Sequence, residues 1–166
     1  MSLRHATLVL FVLASPADAQ LFADDNGRVL DGVLAFDAVV SVTAPDAEPG
    51  VRLPANFEEN LEGAFVLALR RDGVRVEADA PNYLTCRVQF LPSIIGGQHR
   101  GWAYRWDVLY QVLGPLDDLG LDLPAWITAW TAGGLGIAPL GGFTATEVAR
   151  TCEDMFAREW LRWNPR

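Results

Sequence analysis

The chain has 166 residues, 51% apolar and 20% charged, which excludes wholesale disorder. Its net charge of −8 would repel phosphate, which argues against a nucleic-acid partner. All 13 basic residues are arginine, so no lysine can form a Schiff base or serve a phosphate loop.

Residues 1–19 read as a secretory signal peptide. Arg4 and His5 give a basic start, residues 6–15 an apolar run, and Ala17 and Ala19 the small residues that signal peptidase reads. The apolar run is too short for the ~20 residues of a spanning helix. The expected location is therefore periplasmic or secreted, in a bacterium, with cleavage after Ala19. Residues 20–166 are expected to form one domain.

Residues 20–32 form a turn-rich lead-in. The alternation of Leu34, Phe36, Ala38, Val40 and Val42 predicts a strand over 33–43. A helix follows a Pro-rich loop. Asn56 and Glu59 suggest a capping box, Phe57, Leu61, Ala64, Phe65 and Ala68 a buried stripe, and Gly73 a left-handed stop. Residues 74–78 begin a strand region that breaks near Pro81. It resumes over 83–91, with Leu84, Cys86, Val88 and Phe90 on one face.

A Gly-rich loop over 94–101 leads to a strand over 102–113, with Tyr104, Trp106, Val108, Tyr110 and Val112 on one face. Residues 114–124 read as an acidic loop; its Asp117, Asp118 and Asp122 do not match calcium-loop spacing. Residues 125–131 read as a strand with Trp126, Thr128 and Trp130 on one face. No charge occurs from 123 to 146, but five glycines and two prolines argue against a membrane helix. Strand plus Gly-rich connector is the reading. A final helix is marked by a Thr144–Glu147 capping box and the apolar face of Val148, Cys152, Met155, Phe156, Trp160 and Trp163. Asn164-Pro165 ends it.

The order β-α-β-β-β-α predicts an α+β two-layer sandwich, with a mainly antiparallel sheet and both helices on one face. Cys86 and Cys152 both fall on core-facing positions, and in an oxidising compartment an even pair suggests a disulfide. Closing a loop of about 65 residues would stabilise the fold by roughly 4 kcal/mol. The segment Leu69-Arg70-Arg71-Asp72-Gly73-Val74 and the aromatic tail over 156–166 resemble small exported bacterial α+β proteins of unassigned function. That resemblance implies a leader, a hairpin and a C-terminal aromatic helix, and carries no catalytic residue across.

Beyond the leader only Ser41, Ser93 and His99 could build a hydrolase triad, and no G-x-S-x-G motif frames either serine. No metal or cofactor is expected. The leading reading is a non-enzymatic accessory module that binds an envelope partner through an aromatic sheet face. Trp102, Trp106, Trp126 and Trp130 would supply hot spots and Arg105 a cation–π contact. A second reading is a binder of a small apolar or glycan-like ligand. The last is a hydrolase using carboxylates such as Asp37, Glu77 or Asp107.

Overall fold

The computed structural model describes residues 26–45, 52–116, 121–140 and 144–165. The predicted leader lies outside them. A short 3₁₀ segment, Asn26–Leu30, precedes strand β1 (Asp37–Thr43), helix α1 (Phe57–Arg71), strands β2 (Asn82–Ile95), β3 (Gln98–Leu116) and β4 (Leu121–Pro139), and helix α2 (Ala145–Trp163). The sheet runs β1-β2-β3-β4. β1 and β2 are parallel, because α1 crosses between them, and the other two pairings are antiparallel. The α+β sandwich and its element order thus follow the sequence pattern.

The core lies between the helices and one sheet face. Leu84, Cys86, Val88 and Phe90 of β2 and Trp102, Trp106, Val108 and Tyr110 of β3 point there at the two-residue period of a strand. Phe57, Leu61, Phe65 and Leu69 of α1 and Val148, Cys152, Phe156 and Trp160 of α2 meet them at helical spacing. Phe156 stacks edge-on against Phe36 at 5.1 Å and Trp130 at 5.8 Å. A disulfide joins Cys86 to Cys152, with 6.1 Å between Cα atoms, and ties α2 to the middle of the sheet.

α2 starts as its sequence predicts. The Glu147 amide donates to Thr144 Oγ1 (3.2 Å), and the Thr144 amide donates to Glu147 Oε2 (3.0 Å). At its other end Asn164 Nδ2 donates to Leu30 O (2.8 Å) and Trp160 Nε1 to Val33 O (3.2 Å). The same residue that stops the helix therefore fastens the N-terminal segment to it. The α1 start differs from expectation. Asn56 is left-handed (φ 57°) and makes no side-chain cap; Gly73 (φ 79°) does close the far end.

Five further expectations are corrected. The strand expected over 33–43 begins at Asp37, and Leu34 is exposed. The 74–78 strand is a single bridge, Val76 to Phe36, ended by the left-handed Asp79 (φ 64°). The loop expected over 94–101 is a two-residue turn at Gly96 and Gly97 (φ 60° and 75°), whose positive φ angles suit a tight hairpin. The connector expected after residue 131 is strand to Pro139, and the loop expected over 114–124 lies largely within β3 and β4. Asp117 and Asp118 lie outside the described residues.

The glycines explain the long β4. Trp102, Tyr104, Trp106 and Val108 on β3 face Ala138, Gly136, Gly134 and Ala132 on β4. A Cβ at Gly136 would fall within the Tyr104 ring, and one at Gly134 would come within 2.9 Å of Trp106 Cζ2. Small residues at alternate positions make room for large rings on the neighbouring strand.

One ionisable side chain is fully buried between the helices. Glu153 has no exposure, and Arg71 Nη2 lies 3.6 Å from its Oε2, beyond hydrogen-bond length. Burial foremost, then the nearby Asp72 and Asp154 carboxylates, push its pKa up to about 8. The folded state therefore keeps a proton that the unfolded chain releases near 4.5. This group's contribution to stability is fully present below pH 4.5 and is lost as pH rises to about 8. Glu153→Gln is expected to leave the melting temperature nearly unchanged at pH 4.5 and to raise it by several degrees at pH 9. Melting curves across that range check this; parallel profiles for the two proteins would refute it.

Candidate functional site

The helices leave the other sheet face uncovered by secondary structure among the described residues. Three zones lie along it. At its centre, Asp107 is buried by its neighbours. Arg87 Nη2 donates to its Oδ2 (3.3 Å), and Arg105 Nε and Nη2 donate to its Oδ1 (3.1 and 3.0 Å). Register places Arg87 directly across from Asp107 and Gly133 on its other side. A Cβ at 133 would come within 2.6 Å of Oδ1, so glycine there leaves space for the carboxylate. Two arginines share one aspartate, and the cluster carries a net charge of +1.

Toward the Gly96-Gly97 turn the face becomes apolar. Leu135, Ile137 and Leu91 are 85%, 84% and 64% exposed. They flank a groove of about 710 Å³ that Ala103, Thr43, Pro45, Gln89 and Arg105 also line. Neighbouring strands bring them together: Ala103 pairs with Leu91 on one side and Ile137 on the other, and Arg105 pairs with Gln89 and Leu135. Isolated exposed leucines are ordinary, whereas these three lie together on one face.

At the opposite end Trp126 is 48% exposed and meets Tyr83 edge-on, 4.4 Å between ring centroids. Trp126 and Trp130 do not share a face, contrary to expectation. β4 bulges between them: Tyr110 pairs with Trp130, and the next residue, Gln111, with Thr128, so Ala129 is inserted. The inserted residue reverses the alternation. Trp130 enters the core beside Phe156, while Trp126 remains on the helix-free face.

The structure therefore divides the five residues expected to bind. Trp102, Trp106 and Trp130 are buried as core; Trp126 and Arg105 stand on the uncovered face. Leu91, Leu135 and Ile137 were missed because the Gly-rich run concealed the strand that aligns the last two. A readable signal was present: the order Ala132, Gly134, Gly136, Ala138 has strand period, and its alternate positions are Gly133, Leu135 and Ile137.

The groups that a hydrolase reading would need do not converge among the described residues. His99 packs edge-on against Trp102 at 4.9 Å, and its buried Nε2 has no hydrogen-bond partner among the described residues. Asp37 pairs with Tyr83, four positions along β2 from the residue facing Asp107, or roughly 13 Å at strand rise. Glu77 Oε1 accepts from Arg75 Nε at 2.6 Å.

The chain matches no protein-family profile and no curated protein. Among solved structures it is similar to a PelC dodecamer variant from Paraburkholderia phytofirmans, with 15% identity and a TM-score of 0.40, over 75% of this chain and 85% of that one. It is also similar to a minor lipoprotein from Acinetobacter baumannii (14%, 0.33, 74% and 94%) and to rare lipoprotein B from Shewanella oneidensis (13%, 0.27, 76% and 86%). Likeness at these scores carries no functional argument.

Proposed function

We propose that this protein is an exported, non-catalytic binding module of the bacterial envelope, and that it works through the helix-free face of its sheet. The observation that carries this reading is the groove beside Leu91, Leu135 and Ile137, three large apolar side chains left mostly in solvent. Their exposure would be costly to a domain that bound nothing there. The leader-like residues 1–19 support export, and so does the Cys86–Cys152 bridge, since disulfides persist in oxidising compartments. A photo-reactive side chain placed at 135 is expected to form a discrete adduct in the native envelope. The same group at Leu67, an exposed residue of α1, is the control on the opposite layer.

A further inference from the structure

We propose that the groove takes a single-chain amphiphile with a carboxylate head, its tail lying along Leu91, Leu135 and Ile137 and its head meeting Arg105. The inference rests on the reading of this face as the working surface and names the chemistry of what it holds.

Size comes first. A groove of about 710 Å³ lies within the range of about 300–1,000 Å³ that small-molecule sites occupy, so one alkyl chain is a suitable occupant. The walls come second. Leu91, Ala103, Leu135, Ile137 and Pro45 offer carbon surface, which gains by removing a tail from water.

Charge is the third argument and decides the head. Acidic residues outnumber arginines 21 to 13 in the chain, yet among the described residues the groove lining includes no acid, and its one charged residue is Arg105. Arg105 and Arg87 share the single carboxylate of Asp107, so an incoming anion meets net positive charge. Arg105 directs Nε and Nη2 at Asp107. A guanidinium has five N–H donors, which leaves some for a second carboxylate. Asp107 also holds the guanidinium in place before the ligand arrives, which lowers the ordering cost of binding. A cationic head would be repelled, and a neutral sugar head could hydrogen-bond to Thr43 and Gln89 but would forgo the ion pair with Arg105.

The test uses the chain from residue 20 with its disulfide intact. Dodecanoate below its micelle concentration is titrated by calorimetry, with stoichiometry from native mass spectrometry. Dodecyl maltoside and dodecyltrimethylammonium carry the same tail with neutral and cationic heads. The expected result is 1:1 binding of dodecanoate, at least about ten-fold tighter than either comparator, as a charge-assisted contact would give. Arg105→Gln is expected to remove that preference, and Ile137→Glu to weaken all three. Both side chains are exposed, and melting curves are taken to check that each variant folds. Equal affinity for the three heads, or a preference that survives Arg105→Gln, overturns the carboxylate assignment and leaves the working surface intact. No binding of any probe, with adducts still forming from position 135, overturns the inference alone. No binding and no adducts overturn both.

Discussion

Replacing Cys86 and Cys152 together by alanine is expected to lower the unfolding free energy by about 4 kcal/mol. The bridge closes a sequence separation of 66 residues, so its loss restores much chain freedom to the unfolded state. Both residues are fully buried, one in β2 and one in α2, and the bond is the covalent tie between the helix layer and the sheet. Melting should fall by about 10–15 °C for a domain of this size. Reducing the wild-type protein should produce a similar fall, while the double variant should not respond to reductant. Calorimetry with and without reductant measures all of these. A shift of less than two or three degrees would mean that the two layers hold together without the bridge.

Asp107→Ala is expected to destabilise by about 2–3 kcal/mol, chiefly through what remains behind. Arg87 and Arg105, diagonal neighbours on β2 and β3, would be left without the carboxylate that now joins them. Both guanidinium groups reach solvent, so the cost falls below that of a fully buried pair. Asp107→Asn keeps an acceptor in the same space and should cost roughly half as much. Added salt should recover part of the alanine variant's loss by screening the two arginines. Urea unfolding at low and high salt measures the difference. Indistinguishable unfolding of alanine variant and wild type would show that the cluster does not organise the face.

The fold was legible wherever one periodicity ran unbroken. Leu84 to Phe90 and Tyr104 to Tyr110 alternate, and they pack as that alternation requires. The Thr144–Glu147 box likewise located α2, and the inward positions of Cys86 and Cys152 indicated their bridge. Sequence reading failed where a residue's role depends on its neighbour across the sheet. Gly134 and Gly136 look like loop residues until Trp106 and Tyr104 are set beside them. Ala129 carries no local mark of a bulge, yet its insertion separates Trp126 from Trp130. Asp107 alternates with core residues like any solvent-facing acid, and only the register with Arg87 and Gly133 shows why it is buried. The candidate site was therefore less legible than the fold. Two of its expected residues, Trp126 and Arg105, lie on the uncovered face, and the groove's one sequence mark, the strand period over 132–138, was obscured by its glycines.

The central claim is that the helix-free face is the working surface. The most direct measurement is site-specific photo-crosslinking in the native envelope, with the reactive side chain at 135 or 137 and, in parallel, at 67. All three positions are strongly exposed, so accessibility does not separate them. The account predicts a discrete adduct from 135 and 137, absent from 67 and suppressed by glutamate at the neighbouring groove position. Equal adduct patterns from both layers, or adducts from 67 alone, would contradict it.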